Sequence, residues 1–137
     1  MRILLIDDDQ WIRDSMSMFF EGEGCHLVSF ETAEEGMDEL EKQTYDIVIA
    51  DYKLPGLDGL ELFKWLQKSV QEANQKPIRI LITAFGNEKL ISEARKVGVQ
   101  DFIDKPFTTR TIEESLSRLI YECEQENERL LKKVQLE

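Results

Sequence analysis

Five short runs rich in Ile, Val and Leu recur along the chain, and each is followed by a longer segment with a helical pattern. The runs are Arg2 to Asp7, Cys25 to Phe30, Asp46 to Asp51, Pro77 to Thr83 and Asp101 to Ile103. In the segments between them, apolar residues recur at spacings of three and four opposite a polar face, which predicts amphipathic helices. The predicted helices are Trp11 to Phe20, Ala33 to Leu40, Leu60 to Val70 and Leu90 to Val97.

The third run indicates how the strands pair. Residues 47–50 are all apolar, as in a strand that is covered on both faces of a parallel sheet. Right-handed crossovers through the intervening helices then give an α/β fold, an open doubly wound parallel sheet with helices on both sides. In such a sheet the ligand crevice lies beyond the carboxyl ends of the strands.

Size, charge and cysteine content exclude several classes of protein. A chain of 137 residues is expected to form one domain, and its net charge of -11 argues against direct binding of nucleic acid. Cys25 and Cys123 are far apart with only His26 as a further ligand, so we expect neither a zinc site nor a disulfide. Apolar stretches stay well below the roughly 20 residues of a membrane span. We expect a cytoplasmic protein without membrane insertion.

Polar residues cluster where the predicted strands end. Asp7, Asp8 and Asp9 follow the first strand, Asp51 ends the third, Thr83 ends the fourth, and Lys105 with Pro106 follows the fifth. Several carboxylates in one small space repel one another unless a hard cation lies among them, which implies a divalent ion such as Mg²⁺. We assign Asp9 instead to capping the following helix.

Four separate segments carry a family resemblance. They are Ile6-Asp7-Asp8-Asp9, Asp51-Tyr-Lys-Leu-Pro-Gly-Leu-Asp-Gly59, Thr83-Ala84 and Lys105-Pro106-Phe107. In order, spacing and identity they resemble the receiver domains of two-component response regulators, over residues 1 to about 120. The resemblance implies a flavodoxin-like, five-stranded parallel sheet of order 2-1-3-4-5 with an extended C-terminal helix. It also implies a receiver domain over 1–120 and a helical extension, linker or short coiled coil over 121–137.

The resemblance further implies the chemistry of the site. Asp51 would accept a phosphoryl group from a sensor histidine kinase or phosphotransfer protein. Mg²⁺ would be held by Asp8, Asp51 and the backbone carbonyl of Lys53, and by Asp7 directly or through water. The chain would then be a phosphoacceptor that assists its own phosphorylation and dephosphorylation, and not an enzyme.

Three more residues take roles by the same resemblance. Lys105 would place its ammonium against a phosphoryl oxygen, with a cis peptide before Pro106. Thr83 would turn its hydroxyl toward the phosphoryl group while Phe102 moves into the space vacated, a population shift between two packings. The family more often has Tyr at the Phe102 position, and Phe lacks the hydroxyl that could anchor one rotamer.

From Thr108 to the end the pattern is helical, without Gly or Pro. Ile120, Cys123, Asn127, Leu130 and Val134 fall at coiled-coil spacing, so the helix could pair in a homodimer. A solvated amphipathic helix, or a linker to an output domain as in receivers of AAA+ transcription activators, fits the same pattern.

Three other readings compete with a phosphoacceptor. Asp7-x-Asp9 also resembles the nucleophile and acid/base pair of haloacid-dehalogenase-like phosphatases, which however leaves Asp51 and its loop unexplained. A flavin-binding module would need a Ser/Thr- and Gly-rich loop where this chain has three aspartates. A degenerate receiver that only mediates protein contacts would usually lack an acidic residue or the lysine.

Overall fold

Strands and helices alternate along the chain, as the hydrophobic pattern predicts. The computed structural model describes residues 1–20, 24–69, 76–84 and 86–135. The elements are β1 (Arg2–Ile6), α1 (Gln10–Phe20), β2 (His26–Phe30), α2 (Ala33–Lys42), β3 (Ile47–Asp51), α3 (Gly59–Ser69), β4 (Ile78–Thr83), α4 (Glu88–Lys96), β5 (Asp101–Asp104) and α5 (Thr109–Gln135). The chain divides into two compact units, Met1–Phe107 and Thr108–Glu137.

Three helices, α1, α3 and α4, begin earlier than the apolar periodicity predicts, and polar side chains cap α1 and α4. Asp9 Oδ1 accepts a hydrogen bond of 2.9 Å from the Trp11 amide, so α1 begins at Gln10. Asn87 Oδ1 accepts one of 2.8 Å from the Leu90 amide, so α4 begins at Glu88. Val70, the predicted end of α3, lies outside the described residues.

The sheet has five parallel strands in the order β2-β1-β3-β4-β5, which confirms the predicted topology. In the centre of the sheet, Ile49 of β3 lies opposite Leu5 of β1 on one side and Ile80 of β4 on the other. Every residue of β3 and β4 is buried. This burial explains why the third run is continuously apolar and does not alternate with polar residues.

Helices α2, α3 and α4 pack on one face of the sheet. Leu4, Val48 and Leu81 belong to the core on this face. Close approach of α2 depends on Gly36, because a Cβ there would overlap Ile6 Cδ1. Successive side chains of a strand point to opposite faces, so Ile3, next to Leu4, faces the other side of the sheet. Helix α1 contacts β2.

A buried arginine in β4 bonds to residues at the C-terminal ends of α3 and α4. Arg79 in β4 is 2% exposed, and its Nη1 donates hydrogen bonds to Gln67 Oε1 at 2.5 Å and the Val97 carbonyl at 2.7 Å. Burial lowers the pKa of the guanidinium below its usual value. These bonds fasten the C-terminal ends of α3 and α4 to the sheet.

The second unit consists of α5. Its 27 residues carry ion pairs along the helix, from Arg110 Nε to Glu114 Oε1 at 3.2 Å and from Arg129 Nη1 to Glu126 Oε2 at 3.3 Å. Three of the positions on which the coiled-coil prediction depends, Asn127, Leu130 and Val134, have side chains outside the described part of the structure, so pairing through α5 stays a prediction. Among the described helices, none combines the length and apolar character needed to cross a bilayer.

Candidate functional site

The carboxyl ends of β1, β3, β4 and β5 converge on one cleft. Because β1 and β3 are adjacent, Asp7 just after β1 lies close to Asp51 at the end of β3. Thr83 ends β4, and Lys105 follows β5 directly. The cleft has a volume of about 530 Å³ and is lined by Asp8, Asp51, Tyr52, Lys53, Leu54, Pro55, Thr83, Ala84 and Lys105.

Three carboxylates form an acidic cluster, and two of them, Asp8 and Asp51, line this cleft. Asp7, Asp8 and Asp51 each offer an oxygen, and these oxygens lie within 4.8 Å of one another. Asp7 is fully buried and Asp51 is 4% exposed, whereas Asp8 faces solvent. The cluster can therefore be reached from water on the side of Asp8.

Burial makes two of these carboxylates unusually basic. Loss of hydration raises the pKa of Asp7 from its ordinary value of 3.8 to about 6, and the nearby Asp51 charge acts in the same direction. Burial also raises the pKa of Asp51, although the hydrogen bond from Lys105 partly opposes it. A cation bound among the carboxylates would relieve this cost.

Lys105 supplies one positive charge to the cluster. Its Nζ donates a hydrogen bond of 2.6 Å to Asp51 Oδ2 and lies 3.5 Å from Asp7 Oδ2, an ion-pair distance. Burial opposes the charge of the ammonium, but the hydrogen bond to Asp51 and the Asp7 charge outweigh burial and raise its pKa. The Lys105-Pro106 peptide is cis, as the resemblance implies.

The donor set fits a divalent metal ion. The Lys105 ammonium contacts two of the three carboxylates, so the three carboxylates and Lys105 together carry a negative excess of two when all are ionised. Asp7 Oδ2 is buried and accepts no hydrogen bond from any described residue. Oxygen ligands of this kind are those that Mg²⁺ prefers, and an orphaned buried oxygen is stabilised when it binds a cation.

The loop from β3 to α3 is held tightly against the site. Gly59 contacts the Asp51 carbonyl so closely that a Cβ there would overlap it. Glu34 of α2 accepts a hydrogen bond of 2.9 Å from the Leu57 amide, and Gly56 beside it has a φ of +80° that favours glycine. This loop carries Lys53, which lines the cleft.

The two predicted switch residues lie on adjacent strands. Thr83 is buried at the end of β4 and lines the cleft. Phe102 of β5 is half-buried, and the guanidinium of Arg95 in α4 lies 5.1 Å from its ring centroid. The Phe102 ring therefore has a cation–π contact with Arg95.

Sequence reasoning missed three side chains that contact the site or its supports. Arg13 donates to the Asp7 carbonyl, Glu34 accepts from the β3 to α3 loop, and Arg95 covers Phe102. Each acts across elements, and no local spacing distinguishes it from a solvated charge. Asp9 has the capping role that was predicted for it.

Comparison with known proteins agrees with this geometry. The family model described as "Response regulator receiver domain" matches residues 3–117. The chain belongs to the response regulator receiver family. Members of this family are the phosphoacceptors of two-component signalling, and the receiver fold, its sheet order and the resemblance drawn from the four sequence segments are thereby confirmed.

Individual relatives support the same assignment. The chain is 39% identical over 106 residues to transcriptional regulatory protein FixJ of Bradyrhizobium diazoefficiens, covering 77% of this chain and 49% of FixJ. It is 30% identical over 120 residues to sporulation initiation phosphotransferase F of Bacillus subtilis, covering 87% of this chain and 93% of that protein. A receiver domain structure from Methanospirillum hungatei superposes with a TM-score of 0.79 at 30% identity, covering 91% and 97% of the two chains.

The coverage of these relatives differs in an informative way. The chain spans about half the length of FixJ, and a third or less of several other transcriptional regulators that it matches. It spans nearly all of the phosphotransferase F sequence and of the solved receiver domain. The similarity therefore covers the receiver portion of longer regulators.

Proposed function

We propose that Asp51 is the phosphoacceptor and that Asp7, Asp8, Asp51 and the Lys53 carbonyl hold Mg²⁺ during the transfer. The observation that carries the proposal is the juxtaposition of Asp51 with an acidic cluster and with the Lys105 ammonium at 2.6 Å. The donor would be a phosphohistidine on a sensor histidine kinase or a phosphotransfer protein.

The reaction uses the oxygen of Asp51 that Lys105 does not occupy. Its lone pair forms a new O–P bond as the N–P bond of the phosphohistidine breaks, and the electron pair returns to the imidazole nitrogen, which takes up a proton. Mg²⁺, when bound, neutralises charge on the phosphoryl oxygens. The Lys105 ammonium, which contacts Asp51 before transfer, would then form an ion pair with one of those phosphoryl oxygens. The raised pKa of Lys105 keeps the ammonium charged for this contact.

Phosphorylation would act on partners through Thr83 and Phe102. A phosphoryl group on Asp51 offers acceptors to the Thr83 hydroxyl, because Asp51 and Thr83 line the same cleft. Displacement of β4 toward the phosphoryl group would change the space beside Phe102, since Phe102 lies opposite Leu81 in the next strand. The signal depends on how much the phosphoryl group favours one packing over the other.

The phosphatase alternative loses support from the position of Asp9. Its Oδ1 accepts the Trp11 amide and caps α1, so it is engaged away from the cluster. A second carboxylate acting as acid and base beside Asp7 is therefore not supported.

Beryllium fluoride, an analogue of the phosphoryl group, tests the proposal without a kinase. We expect it to raise the melting temperature of the wild-type chain only when Mg²⁺ is present, because a ligand that binds the folded state stabilises it. Asp51→Asn should show no such rise, whereas Asp38→Asn on the exposed surface of α2 should behave as wild type. A rise that persists in Asp51→Asn would contradict the assignment of Asp51.

How the phosphorylated chain acts on its partners is also part of the proposal. The signal would be passed on through a homodimer of α5 helices or by transmission to a further domain. The expected cytoplasmic location fits a kinase donor. Sedimentation equilibrium with and without beryllium fluoride separates a dimer that depends on activation from one that does not.

A further inference from the structure

Three of the four polar atoms of Asp7 take part in hydrogen bonds with other residues. Its amide donates to the Phe30 carbonyl at 3.1 Å, and its Oδ1 accepts from the Asp9 amide at 2.9 Å. Its carbonyl accepts from Arg13 Nη1 at 2.8 Å. Only Oδ2, which points into the acidic cluster, accepts no hydrogen bond among the described residues.

Arg13 is itself well held. Its side chain is 13% exposed, and its Nη2 lies 3.4 Å from Glu31 Oε1 at the end of β2. Its amide donates to the Asp9 carbonyl at 3.1 Å in the first turn of α1. The planar guanidinium thus spans from α1 to the loop after β1 and to the loop after β2, a geometry that a single ammonium cannot reproduce.

We propose that Arg13 is a positioning residue for the metal site, which holds the main chain of Asp7 so that Oδ2 faces the ion. This inference rests on the proposed function, since it assumes that the acidic cluster binds Mg²⁺. Partners behind a metal ligand are known to set its orientation, and their loss typically weakens metal affinity roughly 10- to 100-fold.

The charge of Arg13 and its hydrogen bond have opposite effects on metal affinity. A positive charge near the site repels a divalent ion. If Arg13 acted only through its charge, its removal would therefore tighten Mg²⁺ binding. A role in holding Asp7 means that removal would weaken binding, because the carboxylate would no longer be pre-oriented. The sign of the change in affinity therefore separates the two effects.

The experiment is a calorimetric titration of the full chain with Mg²⁺, without any phosphodonor. We expect Arg13→Gln to bind about tenfold more weakly than wild type, and Arg13→Lys, which keeps a donor, to be intermediate. Arg110→Gln removes the same charge from an exposed i,i+4 pair on α5 and should bind as wild type does. Urea denaturation in EDTA checks that each variant is folded.

The outcomes are distinct. Weaker binding by Arg13→Gln with normal binding by Arg110→Gln supports the inference, and equal or tighter binding by Arg13→Gln overturns it. If Arg13→Gln does not fold, Arg13→Lys decides alone: weaker binding supports the inference and wild-type affinity overturns it. If the wild-type chain binds no Mg²⁺, the proposed metal site fails and this inference fails with it.

Discussion

Replacing Asp7 by Asn should stabilise the metal-free protein and remove most of its stabilisation by Mg²⁺. Asp7 is fully buried among other carboxylates, and its pKa is raised from 3.8 to about 6. At neutral pH the folded protein therefore holds a charge that costs more inside the protein than in the unfolded chain. Asparagine has nearly the same shape and carries no charge.

The size of the effect follows from the pKa. A change from 3.8 to about 6 corresponds to about 3 kcal/mol in the free energy of unfolding, at about 1.4 kcal/mol for each tenfold change in proton affinity. That figure is a ceiling, because the asparagine amide must itself find partners beside Lys105. We expect Asp7→Asn to gain about 1 to 3 kcal/mol in EDTA near neutral pH.

The sign of the pH dependence is equally specific. Between pH 3.8 and about 6 the folded state binds more protons at Asp7 than the unfolded state does. The contribution of Asp7 to stability is therefore greatest below this window and is lost as the pH rises through it. Asp51 has a raised pKa of the same origin, so part of the slope remains in Asp7→Asn.

Urea denaturation across this pH window, in EDTA and in Mg²⁺, measures both effects. We expect the wild-type chain to gain stability from Mg²⁺ and Asp7→Asn to gain little, because the buried Oδ2 no longer offers a charged ligand. Equal stability of the two proteins in EDTA near neutral pH, with the same pH slope, would refute the claim that burial of this charge strains the fold.

Three further experiments test individual contacts by urea denaturation. Gly59→Ala should cost roughly 1 to 3 kcal/mol, because the new Cβ overlaps a main-chain carbonyl of the site, and unchanged stability would show that the loop can yield. A double-mutant cycle of Arg95→Met and Phe102→Leu should give a coupling of about 0.5 to 1 kcal/mol, and additive effects would mean that the cation–π contact contributes nothing. Gln67→Ala should cost about 1 to 3 kcal/mol by removing an acceptor of the buried Arg79, whereas a neutral result would place water at that position.

The fold could be predicted from the sequence because buried strands have a recognisable apolar pattern and their order along the chain restricts the topology. The apolar run ending at Asp51 is readable since β3 is buried on both faces, and the strand ends then bring Asp7 and Lys105 together through topology alone. Asp9 was assigned correctly as a cap because capping depends on residues only two or three positions away.

What escaped prediction depends on contacts across the chain. Arg13 and Glu34 reach loops of other elements, and their spacing along α1 and α2 is that of any exposed polar residue. The contact of Arg95 with Phe102 joins α4 to β5 in the same way. Such contacts are decided by the packing geometry of the helices, which hydrophobic periodicity does not specify.

Intact mass spectrometry after incubation with acetyl phosphate tests the central claim most directly. We expect one phosphoryl adduct on the wild-type chain in Mg²⁺, none in EDTA and none on Asp51→Asn, with Asp38→Asn modified as wild type is. The adduct should be lost on treatment with hydroxylamine, which cleaves acyl phosphates. An adduct that forms without Mg²⁺, or that persists in Asp51→Asn, would contradict the account. So would a folded wild-type chain that takes up no phosphoryl group.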